Sequence, residues 1–134
     1  MERRHARSGS PFEETIGFSR AVRIGSSIVV SGTAPVWPHD HVDPDPGVQT
    51  RRCWEIALGA LTELGGRVDD VVRTRQYVVR PDLADAVGAV HGEVFGSVRP
   101  ASTMVVVAGL LDPRWLVEVE LDAVVSDRPG GRRP

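Results

Sequence analysis

The sequence predicts a single α+β domain in which two helices cover one face of a mixed β-sheet. Two segments carry apolar residues at helical spacing, and five carry the alternation or β-branched character of strands. Their order along the chain is β-β-α-β-α-β-β. The length of 134 residues suits one domain. We expect that domain at residues 12–125, between flexible polar tails at 1–11 and 126–134.

The first half of the chain predicts a hairpin, a loop and a helix. Alternation predicts strands at Phe18–Arg23 and Ser27–Ser31, with a short turn between them. Pro35–Pro46 is rich in Pro, Asp and His, which is typical of a loop. Val48–Leu64 then has its apolar residues on one helical face, and Gly65 follows as a helix stop.

The second half predicts a strand, a helix and two final strands. Val71–Val79 is β-branched and alternating. Pro81–Phe95 has a proline in its first turn and an apolar stripe at helical spacing. Met104–Ala108 and Leu116–Val125 read as strands joined by a turn around Asp112.

The composition of the chain excludes several classes of function and chemistry. The net charge of −2 gives no bulk basic field for nucleic acid. All 16 basic residues are arginine, so lysine Schiff-base chemistry is excluded. The single cysteine, Cys53, excludes an intramolecular disulfide and suggests a structural thiol. No apolar run is long enough to span a membrane, and we expect a cytoplasmic protein without cofactor or metal.

Two strands carry charged faces. The last strand carries an acidic row on one face, formed by Glu118, Glu120 and Asp122. One face of Val71–Val79 carries Arg73 and Arg75 together with Tyr77, and we call it the basic row. The rows can pair if the strands are neighbours. The face is then either solvated, as in many antiparallel sheets, or covered by other subunits.

Four segments resemble the Rid (YjgF-like) family, in the same order and at similar spacing. They are Phe18–Gly32 ending in Ser-Gly, the helix and strand of residues 49–74, the Pro-Ala-Ser-Thr segment at 100–103, and Val-Glu-Val-Glu at 117–120. The resemblance implies a chorismate-mutase-like fold. It also implies a homotrimer with small-molecule clefts between subunits, in which Arg73 or Arg75 pairs with acidic residues.

Active members of that family hydrolyse imines and enamines to ketoacids and ammonia. The resemblance makes Glu118 the catalytic residue, and Ser31 and Gly32 match the family's Ser-Gly. The remaining family positions depart from its pattern. The position of the family's arginine is occupied by Ser102, that of its tyrosine by Phe18, that of its asparagine by Gly88 and that of its cysteine by Met104. Thr103 lies between Ser102 and Met104. The implied ligand-binding set is Phe18, Ser31, Gly32, Ser102, Thr103 and Met104.

Loss of the arginine changes the expected ligand. A hydrogen bond to a charged group contributes about 1.5–3 kcal/mol, so losing a bidentate guanidinium favours a neutral ligand over a carboxylate. The further candidates for the cleft are Arg20, Arg75, His91 and Trp115.

Three alternatives to that reading stay open. The first is a 2-imino or enamino acid deaminase in which Arg20, Arg99 or a neighbouring subunit's Arg75 substitutes for the missing arginine. The second is a binding protein without catalysis. The third is a ribonuclease or translation inhibitor, against which the negative charge argues.

Two histidine signals favour structural interpretations. His39 and His41, with Asp40 between them, resemble metal ligands, but they lie in the Pro-rich loop without a framework to fix their geometry. His91, in the second helix, is either an acid/base at the edge of the cleft or a packed histidine, and packing is favoured.

Overall fold

The computed structural model describes residues 1–126, which form a six-stranded sheet with two helices. The strands are β1 Arg3–Ala6, β2 Ala21–Ile24, β3 Ser27–Thr33, β4 Val71–Val78, β5 Ala101–Val106 and β6 Val117–Val124, and the helices are α1 Pro46–Glu63 and α2 Ala84–Phe95. The sheet order is β1-β2-β3-β6-β4-β5. Only β4 and β5 pair in parallel, so the sheet is mixed. The predicted α+β class is confirmed.

Helix α1 begins at Pro46, two residues before the predicted start at Val48, and ends at Glu63, one residue before the predicted end at Leu64. The Asp45 side chain accepts a hydrogen bond from the Val48 amide (2.9 Å), and Pro46 occupies the first turn. Gly65 follows the helix at φ = +90°, a conformation that favours glycine. The buried face of the helix includes Trp54 and Leu61, which belong to the core.

The core lies between the sheet and both helices. Strand β6 contributes Val117, Val119 and Leu121, all fully buried. Trp54 of α1 meets Phe95 of α2 edge-on, with ring centroids 4.8 Å apart. The other face of the sheet is here called the helix-free face because it carries neither α1 nor α2, so the prediction of two helices on one face is confirmed. The short π-helical segment Glu13–Gly17 lines a cavity beside β1 and β2.

Strand β1 corrects the expectation that residues 1–11 are a tail that buries nothing. Arg3–Ala6 pairs antiparallel with β2, and Ala6 lies beside Ala21, with both side chains buried. Three of the four residues are polar and exposed, so no hydrophobic alternation marks the strand. Of the predicted C-terminal tail, residues 127–134 lie outside the described residues.

The predicted start of β2 shifts by three residues, from Phe18 to Ala21, as does that of β5, from Met104 to Ala101. Its first residues are polar and exposed because β5 is an edge strand, and its parallel pairing with β4 defines it. As a result, Ser102 and Thr103 lie within a strand and point to opposite faces of the sheet.

The two charged rows lie side by side on the helix-free face. Strand β6 pairs with β4 so that Asp122 is opposite Arg73 and Glu120 is opposite Arg75. The Arg75 guanidinium is 3.8 Å from Glu120 and 3.7 Å from Asp122. The predicted pairing of the rows is confirmed within one chain. Whether a subunit covers them stays a prediction.

Candidate functional site

A cavity of about 410 Å³, here called the Glu118 cavity, opens where β3, β6 and α1 meet. Its walls are mainly apolar, with few charged groups. The lining residues are Ser8, Ser10, Phe12, Phe18, Arg20, Gly32, Thr33, Ala34, Val36, Ile56, Leu111, Trp115 and Glu118. A mostly apolar cavity with a few polar groups is typical of small-molecule sites.

Glu118 supplies the carboxylate of this cavity from strand β6. Burial raises the pKa of its carboxyl group, and the positive charge of Arg20 partly opposes that effect. A carboxyl group with a raised pKa exchanges protons closer to neutral pH than an exposed glutamate does. Glu118 can therefore serve as an acid or a base.

Gly32 lets β3 approach this carboxylate closely. Val30 lies opposite Leu121, but Thr33 lies opposite Val119, so β3 contains one extra residue at this point. Such a bulge redirects the side chains of its strand. A Cβ atom on Gly32 would overlap the Glu118 carboxylate, so any larger residue at this position would displace that carboxylate.

Arg20 lines the same cavity from the loop before β2. Its Nη2 donates a short hydrogen bond to the Gly32 carbonyl, and burial lowers the pKa of its guanidinium. Its buried Nε has no hydrogen-bond partner among residues 1–126, and the buried Trp115 Nε1 has none there either. Both donors are available for an acceptor if the neighbouring side chains shift slightly.

Ser102 lies away from this cavity, in a polar group on the helix side of the sheet. We call this group the Ser102 cluster, and its members are Ser102, Thr74, Gln76 and His91. The Thr74 hydroxyl donates to Ser102 Oγ and also bonds His91 Nε2, both at 2.8 Å. Gln76 Nε2 donates to Ser102 Oγ at 3.3 Å. Burial lowers the pKa of His91, so this cluster favours a neutral ring.

Comparison with known proteins identifies the chain. A sequence model of the Endoribonuclease L-PSP family matches residues 10–125. An uncharacterized protein of Streptomyces coelicolor is 42% identical over 122 residues, covering 90% of each chain. The chain belongs to the YjgF/Rid family.

Solved structures agree with this assignment. A Mycobacterium tuberculosis member of the YjgF/YER057c/UK114 family is 43% identical, with a TM-score of 0.85 over 92% of this chain and 100% of that one. The Escherichia coli YjgF gene product is 26% identical, with a TM-score of 0.76 over 90% of this chain and 92% of that one. Membership of the YjgF/Rid family, which is oligomeric, supports a small-molecule-binding or deaminase-like function.

Within one chain, the structure divides the residues that the Rid resemblance implies. Phe18, Gly32 and Glu118 line the Glu118 cavity together with Arg20 and Trp115. Ser31 lies instead in an adjoining cavity, where its hydroxyl donates to the Ser19 carbonyl at 2.6 Å.

The other implied residues lie near the β5 edge. Ser102 and Met104 share the helix side of the sheet with Thr74 and Gln76, opposite which they pair. Thr103 lies on the helix-free side opposite Arg75, which belongs to the charged rows. One chain of this Rid protein therefore holds two separate groups of candidate residues.

Several walls of the Glu118 cavity escape sequence reasoning. Ile56 of α1 and Leu111 of the β5–β6 loop carry no polar signal, and Leu111 is 97% exposed. His91 bonds Thr74 and packs against Trp54 and Phe95, which agrees with the favoured packed role.

The remaining sequence signals are consistent with structural roles. Burial strongly raises the pKa of the Cys53 thiol, as expected for an unreactive cysteine. Across residues 1–126, no three His, Cys, Asp or Glu side chains are grouped so as to hold a metal ion. Neither helix of this Rid chain is long and apolar enough to cross a bilayer, within the same range.

Proposed function

We propose that this protein is a homotrimer that binds a small, non-carboxylate ligand in clefts between subunits. In this proposal, Glu118 catalyses hydrolysis or tautomerisation of an imine-like or carbonyl-like group. The observation that carries the proposal is a half-buried carboxylate with a raised pKa in the wall of a largely apolar cavity.

The proposed hydrolysis uses Glu118 twice. Its carboxylate takes a proton from water as the water oxygen bonds to the imine carbon, and the resulting carboxylic acid delivers that proton to the nitrogen, which gives a neutral carbinolamine. Glu118 then takes the proton of the carbinolamine hydroxyl and passes it to the nitrogen as the carbonyl forms and the carbon–nitrogen bond breaks. The products are a carbonyl compound and ammonia or an amine, so one water is consumed in each turnover.

A neutral reacting group suits the charges of this site. Ser102 holds the position of the family's arginine, and its surroundings are hydroxyl, amide and imidazole groups. Inside the Glu118 cavity, Arg20 already donates to the Gly32 carbonyl and lies close enough to Glu118 to influence its pKa. A ligand carboxylate there would meet the negative charge of Glu118.

A trimer is supported by the apolar surface that one chain leaves exposed. Val29 and Val124 lie on the helix-free face, and Val105 and Val106 lie on the β5 edge, each at least 42% exposed. Exposed apolar groups on an open sheet face and edge are typical of interaction surfaces. A second subunit there would bring the Ser102 cluster of one chain toward a cavity of its neighbour.

The test is ammonia release from freshly generated imines, both neutral ones and 2-imino acids. We expect faster release from neutral imines, and a loss of about 100-fold or more in Glu118→Gln, the usual range for a general acid/base. Glu63→Gln, an exposed carboxylate of α1, is the matched control and should retain full activity. Full turnover in Glu118→Gln would contradict the proposal.

One alternative function is favoured by a specific observation. Arg20 lines the cavity, and its buried Nε has no hydrogen-bond partner within residues 1–126, so Arg20 is a candidate substitute for the family's arginine. The protein would then deaminate 2-imino acids. In that case Arg20→Gln should remove activity on 2-imino acids while leaving activity on neutral imines.

A further inference from the structure

A second cavity of about 410 Å³, here called the β1 cavity, adjoins the Glu118 cavity and shares only Phe18 with it as a lining residue. Its basic wall consists of Arg3 and His5 in strand β1, with Arg7 immediately after the strand. These three residues precede the part of the chain that the family model matches, which begins at residue 10.

The strand directs these side chains to one side of the sheet. Alternate residues of a strand share a face and lie about 7 Å apart, so a side chain at each position can reach a common ligand. Arg4, between them, points to the other face and donates to the Leu64 carbonyl at 2.9 Å. Ala6 also points away and is buried.

The fold leaves the basic groups of the β1 cavity available to a ligand. Within residues 1–126, the side chains of Arg3 and Arg7 make no hydrogen bond and no ion pair within 4 Å, and both are exposed. His5 is oriented by a 2.7 Å hydrogen bond between its Nδ1 and Ser19 Oγ. That bond leaves its Nε2 for a ligand.

The acidic residue Glu13 also lines this cavity, and hydrogen bonds from Ser8 already hold its carboxylate. It is 6% exposed and accepts hydrogen bonds from the Ser8 amide (2.9 Å) and hydroxyl. These bonds, with help from the charges of Arg20 and Arg7, lower the pKa of Glu13. The exposed charge on the wall is therefore positive.

We propose that the β1 cavity binds a small oxyanion, a phosphate or carboxylate group, through Arg3, His5 and Arg7. Guanidinium groups form forked, charge-assisted hydrogen bonds to such oxygens, and the imidazole adds a third donor. Phe18 supplies an apolar wall for whatever carries the anion. The inference is independent of the chemistry proposed at Glu118, because it uses none of the polar groups of that cavity.

Titration calorimetry of the full chain with inorganic phosphate, and separately with acetate, tests this site at constant ionic strength balanced with chloride. We expect saturable binding of at least one anion. The Arg3→Gln/Arg7→Gln double variant should bind at least ten-fold more weakly. Arg51→Gln/Arg80→Gln is the matched control, since it removes two exposed arginines on the helix side of the protein, and it should bind like the wild type.

Two further variants keep the result unambiguous. His5→Gln keeps the strand and its arginines, and it should also weaken binding of the anion. This variant tests the site even if the double variant fails to fold. Glu118→Gln should bind the anion normally, so failure of the chemistry at Glu118 is distinguishable from failure here. The proposal is overturned if neither anion binds above chloride, or if the control double variant loses as much affinity as Arg3→Gln/Arg7→Gln.

Discussion

The Glu118 cavity and the Ser102 cluster contain the residues that the family resemblance places in one cleft, yet they differ in chemistry and location. The cavity holds a carboxylate and a guanidinium beside apolar walls, and the guanidinium Nε has no hydrogen-bond partner within residues 1–126. The cluster holds neutral groups that bond one another at 2.8–3.3 Å, although the buried Gln76 Oε1 has no partner in the same range. Of these two sites, the cavity therefore holds the charged groups and the cluster holds neutral, hydrogen-bonded ones.

Among variants that keep the Glu118 carboxylate, the largest effect is expected from moving it. In Gly32→Ala the new Cβ overlaps that carboxylate, which must shift. We expect turnover of imines to fall about 100-fold, because small misplacements of a catalytic group are costly. Ammonia release, with circular dichroism to confirm folding, measures the effect.

Gly59→Ala is the matched control for that variant. A Cβ at Gly59 meets nothing within 4 Å, and the residue lies in α1. It should retain activity and gain about 0.5–1 kcal/mol of stability, the usual helical advantage of alanine. Equal activity in both glycine variants would contradict the close-approach role of Gly32.

A smaller effect, of opposite sign at the two sites, is expected in the pH dependence of stability. Burial raises the pKa of Glu118, so its contribution is present below the unfolded pKa of about 4.3 and is lost as pH rises through the folded pKa. Burial lowers the pKa of His91, so its contribution is lost as pH falls below the unfolded pKa of about 6.5.

Urea unfolding from pH 4 to 8 measures this difference. Relative to Glu118→Gln, the wild type should lose stability toward high pH. Relative to His91→Gln, it should lose stability toward low pH. Parallel curves for the wild type and either variant would show that burial does not control the pKa of that group.

The smallest effect is expected on the charged rows of the helix-free face. Arg75 is 36% exposed and its carboxylate partners are 3.7–3.8 Å away, so Arg75→Gln should change subunit stability by less than about 1 kcal/mol. If the protein is the proposed trimer, sedimentation should show weaker trimer assembly for Arg75→Gln than for the wild type. A loss of several kcal/mol at low protein concentration would contradict this view of the ion pairs.

Much of the fold is predictable because its elements are long and strongly patterned. Helix α1 has an apolar stripe and a glycine directly after it, which together predict it from sequence. Strand β1 lacks such a signal, since its four residues carry three exposed polar side chains and one alanine. Only its pairing with β2 creates it, and pairing is not visible in local sequence.

The site is less predictable because it depends on which face of the sheet each residue occupies. Glu118 and Gly32, both implied by the resemblance, line the same cavity, and their roles in function stay predictions. The separation of Ser102 from Glu118 follows from strand register: Ser102 pairs with Thr74 on the helix side, whereas Glu118 lies opposite Tyr77 on the other. Register is a property of the folded sheet. The grouping of Arg3, His5 and Arg7 was missed for the same reason.

The extra residue in β3 also makes the local length of that strand important for the site. Residues up to Val30 stay in register with the hairpin partner, whereas Thr33 is in register with Val119. Removing one residue between them would delete the bulge and restore regular alternation, so buried Thr33 would still face the core. The backbone beside Glu118 would change instead, because the bulged segment that places Gly32 there would be straightened. A single-codon deletion at 31 or 32 would therefore alter the site while leaving the strand pairing and the carboxylate in place.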